Sequence, residues 1–422
     1  ASNNTAVGYE AGFSNTTGAQ NTAVGYHSLR YNTTASNNTG LGHSVLGANT
    51  TGVFNTAVGS LAGYSNTTGV STTFMGAEAG FKNTTGSYNT AIGRSALYDN
   101  QTGSRNVAVG EFALNNNTSG HNVAIGSNAG AGPAAGSTGS ANVWIGTYWD
   151  GNIQAPGNYC TTGDQNIAVG NGSLASITTG NYNTAVGVRA QQSLTTNDNN
   201  TALGHGALLS NTVSNNTAVG YQAGYNTTTA TENTYVGGEA GRNVTTGILN
   251  TLIGYKAGRT ITAGFRNTFV GQFAGQSTTS SYNTFIGQDA GTYVTSGQKN
   301  TILGKFSGNQ GGLDIRTSNN NIVLSDGDGN PRGYYKSQWV FNSDAASLNA
   351  MILRNTSSTT PYLLNMSFSA TTPNNTTSEF LACGDPSFFR LKIFSNGNVV
   401  NSNNSYGSIS DVKLKIGRAS CR

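Results

Sequence analysis

Residues 55–71 read Asn-Thr-Ala-Val-Gly-Ser-Leu-Ala-Gly-Tyr-Ser-Asn-Thr-Thr-Gly-Val-Ser, and the same pattern begins again at Thr72. The motif Asn-Thr-Ala-Val-Gly occurs in 18 copies, separated by twelve intervals of 17 residues, three of 16, one of 20 and one of 24. A weaker copy at residues 321–325 closes the series. Such tandem recurrence indicates a repeat architecture, in which each unit packs on its neighbours. The copies begin at Asn4, Asn21, Asn38, Asn55, Thr72, Asn89, Asn106, Asn122, Asn142, Asn166, Asn183, Asn200, Asn216, Asn233, Asn250, Asn267, Asn283 and Asn300.

The positions of the unit, numbered 1–17 from the motif Asn, differ in what they tolerate. Position 1 is Asn in 17 of the 18 copies, position 4 is Val, Leu, Ile or Met in all of them, and position 5 is always Gly. Position 8 is Ala or Ser in 16 copies. The unit is too short for a helical hairpin, and Gly, Asn and Thr are poor helix formers.

The repeat therefore predicts an all-β fold, a parallel β-solenoid or β-roll of about 18 coils. Each coil is expected to contain two short strands joined by two turns, with Gly at position 5 ending the first strand. Stacking should place the position-4 aliphatic side chains above one another in a narrow core, and Asn above Asn in a ladder. At about 4.8 Å per coil, the stack would be on the order of 85 Å long.

The composition agrees with this prediction and excludes several other classes. Gly (58), Asn (55) and Thr (56) account for 169 of the 422 residues, and only 9% of the residues are charged. The net charge of +4 is spread thinly, which argues against nucleic-acid binding. No apolar run approaches the length of about 20 residues that a membrane helix needs. The three cysteines match no zinc or redox spacing.

The repeat over residues 1–325, with its recurring aliphatic-Gly-x-x-Ala pattern, resembles the head of YadA-type trimeric adhesins and the related repeats of phage tail fibres. The resemblance implies a left-handed β-roll and a homotrimer of chains packed side by side. Residues 326–405 are expected to form a small β domain. Within it, residues 338–400 are richer in Phe, Leu, Met and Arg, and they predict short strands at 339–341, 351–354, 362–364 and 389–394 and a turn over 395–398 that leads into a strand.

The segment 406–415 contains Ser-Asp-x-x-Leu-Lys and resembles the opening of the endosialidase-type intramolecular chaperone of phage tail spikes and fibres. In that family the chaperone assists trimer folding and then cleaves itself off. The resemblance implies that Ser410 is the nucleophile, that Lys415 is its general base, and that the Ile409–Ser410 bond is cleaved, with Asp411 as a supporting residue. The alternative interpretation is a turn with a solvated lysine pair. Residues 416–422 resemble a translated sequencing adapter and are expected to be an assembly scar.

Two insertions interrupt the repeat, near 127–141 and 147–165. An insertion in a solenoid leaves the stack as a loop, and aromatic rings beside Asp and Asn suit the binding of sugars. The second insertion predicts a glycan-binding loop, and the alternative is that its rings pack the loop onto the stack. The candidate residues are Tyr148, Trp149, Asp150, Asn152 and Tyr159.

Asp326, Asp328 and Asn330 have the spacing of a calcium loop, but Ser337 stands where such a loop has its Glu, so a solvated turn is the competing interpretation. No cofactor is expected.

The sequence as a whole predicts a fibrous attachment protein, a segment of a homotrimeric tail fibre on a virion or of an adhesin on a bacterial surface. Its partners would be two further copies and a host-surface glycan or receptor. The alternative is an ice-binding or purely structural β-solenoid, because Thr recurs at position 2. Against ice binding, Val107, Val123, Val143 and Ile167 interrupt the Thr row.

Overall fold

A computed structural model describes residues 2–148, 153–336, 339–341, 379–384, 389–394 and 399–401. These residues form strands, turns and irregular segments, and no helix occurs among them. The chain divides into two compact units, Ala1–Asp344 and Ala345–Arg422. The first unit is a parallel β-solenoid of about 19 coils, which confirms the predicted fold class.

Each coil contributes one strand of three residues, at positions 2–4. Strands β1 to β18 are Thr5–Val7, Thr22–Val24, Thr39–Leu41, Thr56–Val58, Thr73–Met75, Thr90–Ile92, Val107–Val109, Val123–Ile125, Val143–Ile145, Ile167–Val169, Thr184–Val186, Thr201–Leu203, Thr217–Val219, Thr234–Val236, Thr251–Ile253, Thr268–Val270, Thr284–Ile286 and Thr301–Leu303. Consecutive strands pair in parallel, with position 2 above position 2 and position 4 above position 4.

The second strand expected in each coil is absent from the repeat described, and the prediction of two strands per coil was wrong. Turns fill the rest of the coil, but they still stack through backbone hydrogen bonds. Gly63 N donates to Ala79 O at 2.8 Å, and Thr67 N donates to Thr84 O at 2.9 Å. The bonding between coils therefore continues beyond the strand, and it satisfies backbone groups that turns would otherwise leave open.

The core lies behind position 3, not position 4. Ala57 and Phe74 at position 3 are fully buried, whereas Leu41 and Met75 at position 4 are exposed. Successive side chains in a strand point to opposite faces, so position 3 points inward while positions 2 and 4 both point outward. The prediction that the aliphatic row of position 4 forms the core was therefore wrong.

Core volume is shared between position 3 and position 9. Where position 3 is Phe74, position 9 is Gly80, and a Cβ on Gly80 would lie 2.5 Å from the phenyl ring. The preceding coil also has Gly63 at position 9, and a Cβ there would lie 2.7 Å from the same ring. Where position 3 is Ala91, position 9 is Leu97, which is fully buried. The two positions thus share one space: here the large side chain of Phe74 at position 3 is combined with Gly at position 9, and the small side chain of Ala91 at position 3 with Leu at position 9. Close packing of the core requires such compensation.

Asparagine forms two ladders inside the stack. At position 1, the backbone N of an Asn donates to the side-chain oxygen of the preceding position-1 Asn, as in Asn38 N to Asn21 Oδ1 at 2.9 Å. At position 12, side chains bond to one another directly, as in Asn66 Nδ2 to Asn49 Oδ1 at 2.9 Å. Both rows are buried, and these hydrogen bonds within the protein replace the hydrogen bonds to water that the amides lose on folding. The predicted Asn ladder is present.

The last coil leads into antiparallel structure. The remaining strands are β19 (Asn309–Gln310), β20 (Leu313–Asp314), β21 (Ile322–Ser325), β22 (Pro331–Tyr335), β23 (Trp339–Phe341), β24 (Glu379–Gly384), β25 (Phe389–Phe394) and β26 (Val399–Asn401). β21 continues the parallel stack from β18, and β22 and β23 follow it in antiparallel order. In the second unit, β24, β25 and β26 form a separate antiparallel sheet.

Of the strands predicted in the C-terminal part, some are present and others lie outside the described residues. The strands expected at 339–341 and 389–394 are present, and Val399 begins a strand after the predicted turn. The strands expected at 351–354 and 362–364 lie outside the described residues. The small β domain was expected from residue 326, whereas the first compact unit extends to Asp344.

Candidate binding surfaces on the solenoid

The outward side of the stacked strands forms one continuous surface, which we name the strand face: positions 2 and 4 of β1 to β18. Because every pair of strands is in register, position 2 forms one row and position 4 a second row beside it. Position 4 is apolar throughout, position 2 is Thr, Val or Ile, and neither row contains a charged residue. Leu203 is 48% exposed and Leu303 is 51% exposed, so the aliphatic row is open to solvent.

The second insertion packs partly on the stack and partly faces solvent. Gly157 returns the chain over the buried ring of Trp144, and a Cβ at Gly157 would lie 2.4 Å from that ring. Tyr148 and Tyr159 are exposed, and the Tyr159 hydroxyl accepts a hydrogen bond from Gln154 Nε2 at 2.7 Å. Trp149, Asp150 and Asn152 lie outside the described residues. The glycan-binding loop therefore stays a prediction.

Asp326 holds a turn together. Its Oδ1 accepts hydrogen bonds from the backbone N atoms of Asp328 and Asn330, at 3.0 and 2.8 Å, and its Oδ2 pairs with the Arg332 guanidinium. Although burial opposes the shift, the hydrogen bonds from Asn330 and Arg332 lower the pKa of Asp326 to about 2. A guanidinium already neutralises this carboxylate. Within the described part of the chain, no group of three or more potential metal ligands occurs.

The predicted cleavage residues Ser410, Asp411 and Lys415 lie outside the described residues, as does Ile409. Their proposed roles rest on the sequence alone.

Aromatic stacks between coils were not predicted. Tyr64, Phe81 and Tyr98, all at position 10, stack with ring centroids 5.6 and 5.1 Å apart. Tyr9, Tyr26 and His43 form a similar stack at position 6. The sequence signal was the recurrence of aromatic residues at intervals of 17. Because each ring covers the face of the next, these stacks offer mainly their edges to a ligand.

Ion pairs also connect neighbouring coils. Lys82 Nζ lies 2.6 Å from Asp99 Oδ1, and Arg259 Nε lies 2.6 Å from Glu239 Oε2. Such pairs at the surface each contribute only about 0–1 kcal/mol. They fix side chains on the outside of the stack and supply no catalytic arrangement.

The fold defines the class of the chain, a parallel β-solenoid protein. No protein-family model, curated protein or solved structure matches it. Among the described residues, no helix is long and apolar enough to cross a membrane.

Proposed function

We propose that this chain is a fibrous attachment protein that works as a homotrimer, in the manner of a phage tail fibre or a bacterial surface adhesin. The observation that carries the proposal is the strand face, which is apolar along the position-4 row, free of charge and open to solvent. A regular row of this kind suits contact with an equally regular surface, and a second and third copy of the chain provide one. The left-handed sense of the coil belongs to the same proposal.

The energy available on the strand face favours association. Covering a half-exposed Val, Leu or Ile removes enough apolar area to contribute about 1–2 kcal/mol. Association of proteins loses about 4–15 kcal/mol of translational and rotational freedom. A contact along all 18 coils contributes about 18 kcal/mol or more and exceeds that loss, whereas a contact along two or three coils contributes only about 2–6 kcal/mol. Association along the length of the stack is therefore the favourable arrangement.

Light scattering on the folded chain tests this proposal, with a mass of three chains as the expected result. A variant with Leu41→Lys, Leu203→Lys and Leu303→Lys places charge on the strand face at three separated coils. It should give monomers. The matched control, Phe54→Lys, Leu249→Lys and Tyr282→Lys, changes three exposed large hydrophobic residues that each directly precede a motif Asn, the place where Lys299 occurs naturally. It should stay trimeric. A wild-type chain that is folded and monomeric contradicts the proposal.

Self-cleavage between Ile409 and Ser410 is a second part of the proposal, and it rests on the sequence resemblance. A serine hydroxyl is a weak nucleophile, and Lys415 is the candidate base. Mass spectrometry of the mature fibre should find Ile409 as its last residue. Ser410→Ala should leave the fibre trimeric and uncut, and Lys415→Ala should also block release. Normal release by Ser410→Ala would remove Ser410 from this role.

Ice binding is the second candidate function, and one observation favours it. The Thr residues of position 2 and the aliphatic residues of position 4 lie side by side on the outside of a parallel sheet with even spacing. A thermal hysteresis assay separates the two candidates, because a face buried between chains is not available to ice. Hysteresis from the wild-type chain, lost in the Lys variant of the strand face, supports ice binding over the attachment proposal.

A further inference from the structure

A group of polar residues with one exposed aromatic ring lies beside the last two coils, away from the insertions discussed above. It arises because the coil that starts at Asn300 contains a short hairpin, β19 and β20, before the chain reaches Asn321. The hairpin turn is Gly311-Gly312, and both residues have positive φ angles, of 59° and 80°. Such a turn matches the twist of two antiparallel strands. Leu313 and Ile315 are buried, which anchors the hairpin on the stack.

Tyr293 is the aromatic residue of this group, and the residue is 59% exposed. Its backbone is fixed: the N donates to Ser307 O at 2.8 Å, and the neighbouring residues Thr292 and Val294 are buried. Unlike Tyr64 or Tyr98, the Tyr293 ring makes no stacking contact with another described aromatic ring. An exposed ring on a hydrogen-bonded backbone, with no described aromatic ring stacked on it, is thus available to a ligand.

Two clefts meet at Tyr293. The first, which we name the Asp314 cleft, has a volume of about 360 Å³ and is lined by Ser277, Tyr293, Thr295, Asp314, Arg316 and Thr317. The second, which we name the Asp289 cleft, has a volume of about 320 Å³ and is lined by Asp289, Thr292, Tyr293, Lys305, Ser307, Gln310 and Asp328. Each volume falls within the range of about 300–1,000 Å³ found for small-ligand sites.

The charged side-chain groups of the Asp289 cleft have no partner among the described residues. The carboxylates of Asp289 and Asp328 and the ammonium of Lys305 make no hydrogen bond or ion pair with another described residue. In the Asp314 cleft, by contrast, the Asp314 carboxylate accepts bonds from Arg316 Nε at 3.0 Å and Arg316 Nη2 at 2.8 Å. These hydrogen bonds lower the pKa of Asp314 to about 2, so the pair stays charged on both sides.

This combination of groups selects a class of ligand. The clefts contain acceptors and donors in similar numbers, and no cluster of positive charge that would favour phosphate or an acidic polymer. A sugar ring has an apolar face of C–H groups and hydroxyls at its rim, each of which both donates and accepts. The apolar face suits the Tyr293 ring, and the hydroxyls suit Asp289, Lys305 and Asp328.

We propose that these two clefts bind a neutral oligosaccharide, with one sugar ring stacked on Tyr293 and its neighbour in the adjoining cleft. The inference rests on the attachment function proposed above and names the ligand class through which attachment takes place. Three chains in one fibre present three such sites, and this multiplicity raises avidity without any new contact.

The test uses the 422-residue chain and a panel of maltotriose, cellotriose, laminaritriose, chitotriose and lactose, with sialyllactose as the acidic comparison. Saturation-transfer NMR and calorimetry measure binding. At least one neutral member of the panel should bind, and Tyr293→Ala should weaken its affinity by about tenfold or more. Tyr293→Phe keeps the ring and should bind as the wild type does. Tyr182→Ala is the matched control, because Tyr182 is exposed to a similar extent, at 56%, and borders neither cleft.

Three results would overturn the inference: no binding by any neutral member, equal binding by Tyr293→Ala, or tighter binding of sialyllactose than of lactose. The fibre proposal fails separately. A trimer that binds none of the panel loses the saccharide site and keeps the fibre, whereas a monomer that binds through Tyr293 keeps the site and loses the trimer.

Discussion

Gly59, like every other position-5 glycine of the motif, is required for two separate reasons. Its φ angle is +126°, a region that residues with a side chain rarely adopt, and a Cβ would lie 2.7 Å from the carbonyl group of Gly76 in the next coil. The sequence revealed the invariance of this position and its role in ending the strand. It did not reveal the second reason, because the contact joins residues that are one whole coil apart.

We predict that Gly59→Ala lowers the free energy of unfolding by about 3 kcal/mol or more, the sum of backbone strain and the contact with Gly76. Gly238→Ala is the control. Gly238 has no positive φ angle, and a Cβ there would meet only the Tyr255 ring, at 3.3 Å. Urea unfolding followed by circular dichroism measures both variants. Equal stability of the two would contradict the account of position 5.

Cys160 supplies a prediction of pH dependence. It occupies the position of the second Asn ladder, is buried, and donates from Sγ to Gly163 O at 3.4 Å. Burial raises the pKa of its thiol from 9.0 to about 12. The unfolded chain therefore loses this proton near pH 9 while the folded chain retains it, so the stabilisation that is present below pH 9 is lost as the pH rises toward 12.

The expected slope is a loss of about 1.4 kcal/mol per pH unit in the free energy of unfolding over that interval. Cys160→Ala should remove this contribution, so the difference between wild type and variant isolates it from other groups, such as Tyr235, that also titrate at high pH. Parallel slopes for the two proteins would show that the thiol is not protected. A thiol reagent should likewise react with Cys160 only after unfolding.

At the scale of the element, the sequence predicted the strand and its Gly stop but assigned the wrong side chain to the core. In a strand of three residues, such as Thr56–Val58, either the central side chain or the two outer side chains face the core. The alternation of side chains along a strand does not by itself decide between these arrangements. The larger side chain, Val58, was taken as the core residue. The deciding signal was the substitution pattern: Phe74 at position 3 occurs with Gly80 at position 9, whereas Ala91 at position 3 occurs with Leu97 at position 9.

We predict that the exchange between positions 3 and 9 can be reproduced within one coil. Phe74→Ala should cost about 3–5 kcal/mol, because it leaves a cavity. Adding Gly80→Leu should recover a large part of the loss, since the next coil holds Ala91 with Leu97 and accepts Leu97 at a φ angle of 54°. In the wild-type background, Gly80→Leu should destabilise, because its Cβ would lie 2.5 Å from the Phe74 ring. A double-mutant cycle measures the coupling. Additive losses would refute the shared-volume account.

At the scale of the whole molecule, the repeat period fixed the number of coils and their parallel order, because each coil must bury its inner side against the next. The candidate sites were harder to predict from the sequence than the fold. The insertion near 147–165 was visible as a change of spacing, whereas the clefts at Tyr293 depend on a hairpin that brings Gln310 and Asp314 beside an earlier coil. A pairing between segments about 20 residues apart leaves no periodic signal in the sequence.

The two ends of the stack differ in the side chains that fill position 12. In the coils that begin at Asn89 and Asn106, this position holds Asn100 and Asn117, whereas the coil that begins at Asn250 holds Ile261. A buried Ile contributes about 1.5–3 kcal/mol, and a hydrogen bond between amides contributes about 0.5–1.5 kcal/mol net. Position 9 adds to the difference. Leu97 has a positive φ angle of 54°, at a cost of about 1–2 kcal/mol that Gly258 does not incur.

We therefore predict that the C-terminal coils open less often than the N-terminal ones. Amide hydrogen exchange should be slower in β15 and β16 than in β6 and β7, although the hydrogen bonds donated by the first residue of each of these strands are alike, at 2.8 Å. If local opening instead started from the ends of the stack, exchange should be faster in β15 and β16 than in β6 and β7. The reason is that β6 lies five coils from β1, whereas β16 lies only three coils from β21, where the parallel stack ends. Mass spectrometry of peptides from the two regions distinguishes these expectations. Faster exchange in β15 and β16 would mean that distance from the end, and not the composition of the core, sets local stability.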